Sequence, residues 1–129
     1  MGFILLLYFQ YGANSLTNYS TGHSAEKHAA RYLKSHGYKT RALNWRTKWC
    51  EIDIIASKKR TIYFIEVKYR VNNNQGLGLD YITPKKLSRM NRAAESWVQQ
   101  NNFEGNYQLG AIEVAGNNFE ITNFITDIY

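Results

Sequence analysis

Four charged residues are spaced for joint chemistry: Glu51 and Asp53 on one apolar-rich segment, Glu66 and Lys68 on the next. Both segments, Glu51–Ile55 and Thr61–Tyr69, are rich in Ile, Tyr, Phe and Val and are separated by Lys58-Lys59-Arg60. This pattern predicts a β-hairpin. A turn centred between Lys59 and Arg60 sets Asp53 opposite Glu66 and Glu51 opposite Lys68. Residues two apart on a strand share a side, so all four would form one patch, with Ile52, Ile54, Ile65 and Val67 on the other side as core.

Two directly opposed carboxylates are unfavourable in a sheet. A divalent cation relieves the conflict, because carboxylate oxygens are natural ligands of Mg2+, which also keeps waters and accepts substrate phosphates. Such a site can activate water and stabilise charge that builds on a phosphate. Lys68, two residues after Glu66, would stand beside the same phosphate or the attacking water. The same spacing also serves an ordinary polar face with a cross-strand Glu51–Lys68 pair, and a register slip of one residue would dissolve the patch.

The elements around the hairpin read as α-β-β-β-α-β-β, a mixed sheet with two helices packed on it. Thr21 and Ser24 are expected as caps of a first helix that carries Ala25, Ala29, Tyr32 and Leu33 at helical spacing and stops at Gly37. Tyr38–Trp45 reads as a strand, and Trp45–Trp49 as a turn. Thr83-Pro84 opens the second helix, Thr as cap and Pro at the first helical position. Its apolar stripe is Leu87, Met90, Ala94, Trp97 and Val98. Tyr107–Val114 and Phe119–Ile125 are expected as the last strands, joined at Gly116-Asn117. The segment Val71–Leu79, with three Asn and two Gly, reads as a surface loop or a flap over nucleic acid.

With 129 residues the chain suits one domain. A lone cysteine, Cys50, excludes an internal disulfide and a Cys-based zinc cage, and fits a reducing cytoplasm. The net charge of +6 hides a stronger asymmetry: all sixteen Lys and Arg lie within 26–92 beside five acids, about +11, whereas 93–129 holds five acids and no base. Charge of this density suits an anionic partner such as nucleic acid, or simply a solubilising surface. Arg70, Lys85, Lys86, Arg89 and Arg92 are candidate phosphate contacts, with 85, 89 and 92 on the helix face opposite the apolar stripe. The same residues would also make a plain solvated face. Trp45 and Trp49 could stack on a base or pack at the rim. His23, His28 and His36 lack metal spacing, although His23 is near enough to Glu26 to assist it.

Residues 1–20 read as an extension outside the domain (21–129). The apolar run Gly2–Phe9 is too short to span a bilayer, and no basic segment precedes it as in a secretory signal. A start codon assigned too early is one explanation, with Leu16 as the candidate start. Mass spectrometry of the native amino terminus tests this, and a mature chain that begins at Met1 would refute it.

Asp53, a twelve-residue spacer and Glu66-Val67-Lys68 resemble the D–(E/D)xK signature of the PD-(D/E)xK nuclease superfamily. Gly22, Ala25-Glu26, the run GYKTRALNWR (37–46), Glu51–Ala56, Phe64–Arg70, Gly76 and Lys85 further resemble the YraN-like bacterial family assigned to that superfamily. The resemblance spans about residues 21–129. It implies a restriction-endonuclease-like α/β fold with an αβββαβ core, and a Mg2+- or Mn2+-dependent nuclease acting on DNA or RNA. In that reading Glu26, Asp53, Glu66 and Lys68 are catalytic. Asp53, Glu66, the Val67 carbonyl and Glu26 (directly or through water) hold the metal, and Glu51 supports. Cutting both strands of a duplex would favour a homodimer, and no membrane role is expected. The alternatives are a nucleic-acid-binding module that kept the fold without cleavage, and an adaptor in DNA processing. Two departures stand out. Cys50 replaces a Gly usual in the family, and a side chain there resists φ > 0. Gln108-Leu109-Gly110 replaces a frequent Arg-Phe-Asp.

Overall fold

The computed structural model describes residues 13–72 and 80–128. The apolar run at 2–9, Gly76 and most of the Asn-rich loop lie outside the described residues. Helix α1 spans Ala13–Ser35. It begins ahead of Thr21 and Ser24, which are therefore interior residues rather than caps, and the boundary expected at residue 20 falls inside it. No Pro interrupts 13–35, so nothing in the sequence forces a later start. Ala25, Ala29 and Leu33 recur every fourth residue and are fully buried, and the two alanines let the helix lie close on the sheet. The helix ends where Gly37 adopts φ +87°, with Gly37 N–H donating to Lys34 O and Tyr38 N–H to Leu33 O. This left-handed turn satisfies carbonyls that the helix leaves open.

Strands β1 (Lys39–Arg46), β2 (Glu51–Lys58) and β3 (Thr61–Arg70) form an antiparallel meander. Helix α2 (Pro84–Gln100) crosses over to β4 (Asn106–Ala115), parallel to β3, and β5 (Glu120–Ile125) closes the sheet antiparallel to β4. The order is β1-β2-β3-β4-β5. This is the mixed-sheet, two-helix architecture of a restriction-endonuclease-like fold, with the element order read from the sequence. The Thr83 side chain accepts from Lys86 N–H at the head of α2, and Pro84 occupies the first turn, as expected. No helix among the described residues is long and apolar enough to cross a membrane.

The core has two layers. Under α1 lie Ile54, Ala56, Ile65, Ile112 and Val114. Under α2, against Met90, Ala93 and Ala94, lie Ile52, Ile55, Ile62, Phe64 and Leu109. This corrects the expected hairpin with one apolar and one charged face. Helices cover both faces, so β2 is buried continuously from Ile54 to Ser57, and charge is confined to the strand ends. Ile52 packs on the α2 side although Ile54, two residues on, packs under α1, so the regular alternation breaks at Asp53.

Candidate metal and nucleic-acid site

The break occurs where the strands part. The β2–β3 ladder runs from Lys58–Thr61 to Ile54–Ile65, the register expected from the turn, and ends there. Asp53 and Glu66 are the next positions beyond it. With no partner on β2 at this point, Val67 N–H instead donates to Asp53 Oδ2 at 2.8 Å. On the other side of β2, Asn44 lies between the pairs Leu43–Ile54 and Trp45–Ile52, at φ 51°. Asn tolerates this left-handed conformation better than most residues. Its side chain hydrogen-bonds the carboxyl of Glu26 on α1.

These groups open into a cavity of about 840 Å3. Gly22, His23 and Glu26 of α1 form one wall, and Asp53, Glu66, Glu51 and Asn44 the floor. Thr83, Lys85, Lys86, Arg89 and Met90 form the α2 wall. The Asp53 carboxyl is pushed up to about 8, first by burial, then by the Glu66 charge, with Glu26 and Glu51 adding and the Val67 N–H opposing. Burial also raises Glu26, and Glu51 and Glu66 push the same way; Asn44 and His23 counteract. His23 Nδ1 is 4.0 Å from Glu26 Oε2. The three acids therefore feel one another in a partly desolvated space. The nearest cation is Lys86, whose Nζ donates to Glu66 Oε1 at 2.6 Å.

The four-residue patch assumed a ladder that continues past Ile54, and here the structure differs. Glu51 does not face Lys68. Arg46 stands opposite it in the β1–β2 register, with Nε 3.4 Å from Glu51 Oε2. Lys68 is outside the cavity wall, its ammonium 5.5 Å from the Tyr81 ring centroid. Among the candidate phosphate contacts, Lys85, Lys86 and Arg89 line the cavity, while Arg92 is exposed outside its lining. Arg70 turns inward, with Nε 3.2 Å from Glu113 Oε2 and its guanidinium 5.7 Å from the Tyr81 ring. Trp45 packs on the α2-side core, and Trp49 forms part of the cavity rim beneath Lys48. His28 stacks on Phe119, and His36 lies against Tyr32, so the three histidines do not converge.

Both departures from the family pattern have structural answers. Cys50 is not among the residues of positive φ, and the turn before β2 is knotted by Thr47. Its hydroxyl accepts from the N–H groups of Trp49 and Cys50 and donates to Cys50 O. At Gly110 an added Cβ would come within 2.8 Å of Ile125 O, so the chain's own C-terminal segment fills the place of a side chain there. The sequence pattern gave no role to Asn44 or Tyr81, and read Lys86 as a phosphate contact or part of a solvated face. Asn44 carried one signal, an Asn within a strand of otherwise ordinary composition. Tyr81 carried none.

Among the described residues no three His, Cys, Asp or Glu side chains form a ready-made metal cage. Mg2+ does not require one, since it commonly binds through one or two carboxylates, waters and substrate phosphates. The oxygen-only donors fit that ion class.

Comparison with known proteins places the chain. Residues 25–119 match the model of the uncharacterised protein family UPF0102. A UPF0102 protein of Sulfurihydrogenibium sp. is 40% identical over 93 residues, covering 71% of this chain and 81% of that protein. Relatives described in the same words include one from Cytophaga hutchinsonii, 34% identical over 74% of this chain and 84% of its own length. Another, from Neisseria meningitidis serogroup C, is 37% identical over 78% of this chain and 88% of its own length. The family segment thus contains every cavity-lining acid, and the chain belongs to the UPF0102 family, the YraN-like family that its motifs resemble.

Proposed function

We propose that the chain is a metal-dependent nuclease that hydrolyses phosphodiester bonds in DNA or RNA. The observation that carries this reading is the convergence of Glu26, Asp53 and Glu66 on one cavity whose opposite wall presents Lys85, Lys86 and Arg89. Acids line one side of the space and bases the other, joined only where Lys86 reaches Glu66, an arrangement suited to a cation and a phosphate bound side by side. Helix α2 strengthens the point: its first turn holds two lysines and no acid, against the preference of a helix N-terminus for negative charge. An incoming phosphate would supply the missing anion.

Asp53 and Glu66 would hold Mg2+ or Mn2+. In a regular strand one residue's N–H and C=O point to the same neighbour, which turns the Val67 carbonyl toward the same opening. Glu26 would bind a metal-coordinated water. The ion, when bound, activates water and offsets charge developing on the phosphate. Lys85 and Arg89 bind the flanking phosphates, and Glu51, fixed by Arg46, supports the turn below. Lys68 shares the Glu66 side of β3 and reaches the attacking water from its rest position on Tyr81 by rotation of its flexible stem.

The test is cleavage of a panel of single-stranded, duplex and branched DNA and RNA with and without Mg2+ or Mn2+. Wild type should cleave with metal, and Asp53→Ala and Lys68→Ala should not. A wild type that binds neither ion, or three proteins that cleave equally, would refute the reading. The resting place of Lys68 outside the cavity wall favours a second reading, a nucleic-acid-binding module without catalysis. A salt-sensitive band shift with no metal-dependent cleavage would establish it, and absence of any affinity at low salt would point to an adaptor instead.

A further inference from the structure

Lys86 is the residue that the nuclease reading leaves without a settled task. Its ammonium is 2.6 Å from Glu66 Oε1, and the two side chains are 37% and 14% exposed. Among the described residues Glu66 has no other ion-pair partner. Lys85 and Arg89 face the same cavity but make no ion pair with Glu66. The ammonium and a divalent ion are like charges that seek the same carboxylate. A cation about 2.0–2.1 Å from Glu66 Oε1 would take the place of the Lys86 ammonium, and one on Oε2 would repel it across the same carboxylate.

We propose that Lys86 is a tethered counter-cation: it neutralises Glu66 until a divalent ion takes that carboxylate, then turns to a phosphate of the nucleic acid. The inference rests on the metal-site reading above. The helix need not move for the exchange. The first turn of α2 is fixed by the Thr83 cap, and buried Met90 anchors the next turn. Only the four-carbon stem of Lys86 pivots. The Tyr81 ring, 6.0 Å from the Lys86 ammonium, offers a π face on the way out. The exchange links the two ligands. Metal binding frees one more phosphate contact, and in its absence the site holds its own positive charge instead of two bare carboxylates.

The experiment is calorimetric titration of Mn2+ into wild type, Lys86→Met, Lys86→Arg and Lys85→Met, after circular dichroism has verified folding. Loss of a partly exposed charged hydrogen bond from the competing state should tighten Mn2+ binding by roughly three- to tenfold in Lys86→Met. Lys86→Arg, whose guanidinium can grip Glu66 with two bonds, should weaken it, and this variant decides the matter should Lys86→Met fail to fold. Lys85→Met, which removes the same charge without touching Glu66, should change affinity less than twofold. Equal or weaker Mn2+ binding by Lys86→Met, or equal tightening by Lys85→Met, would overturn the exchange and leave the metal site standing. Mn2+ binding by Lys86→Met but not wild type would support it. No binding by any variant at millimolar Mn2+ would overturn both.

Discussion

Acids stand in two places along the sheet, the buried Glu113 and the half-buried Asp53 and Glu66, and are treated differently. Glu113 on β4 is met by Arg70 on β3, 3.2 Å away and 14% exposed, outside the lining of the cavity described above. Asp53 and Glu66 have a single lysine between them, and Asp53 is pushed up to about 8, mainly by burial and then by Glu66. A fold concerned only with stability would have given the second group the treatment of the first. Under the proposed function, the contrast separates an acid that belongs to the architecture from acids that await a ligand.

The largest effect is expected from Arg70→Met, which strands Glu113. Removing one partner of a buried pair costs about 3–5 kcal/mol, measurable as a lower denaturation midpoint with unchanged m-value. Asp53→Asn should instead lower metal-dependent cleavage roughly 10²–10³-fold while the fold stays intact. Its stability should move with pH in a defined direction. The Asp53 carboxyl is raised in the fold, so the stability it lends is complete below the ordinary carboxyl range, near 3.8, and drains away as pH rises to about 8. Asp53→Asn should therefore gain on wild type by about 1–3 kcal/mol between pH 4 and pH 9, read from melting curves. A parallel pH response of both proteins would erase the distinction between the two acid groups. Thr83→Ala removes the cap that fixes the basic wall and should cost ~1 kcal/mol. Glu51→Gln, which loses only a bond to an Arg46 that is 83% exposed, should cost less than ~1 kcal/mol.

The fold was largely legible in the sequence because its signals are local. A turn at Lys59, observed at φ 57°, set the hairpin register, and that register alone predicted that Asp53 and Glu66 would approach. The patch of four failed one step further on, because pairing arithmetic cannot tell where two strands stop pairing. Glu51 and Lys68 lie past the end of the ladder, and each found another neighbour. Glu26 was identified only through motif resemblance, since its approach depends on how α1 lies across β1. Lys86 was seen as a basic residue, but its grip on Glu66 joins residues twenty apart on different layers. Asn44 was missed for a related reason: its bond to Glu26 joins a left-handed residue of β1 to α1, a contact between elements that no local pattern announces.

The amide of Val67 has a use beyond the fold. It is bound by a carboxylate rather than by a strand, so its proton senses Asp53 directly. Its nitrogen–proton resonance should shift as Asp53 ionises or exchanges its hydrogen for an ion. One backbone signal would then report the charge state of the whole site, without a label, a substrate or a substitution.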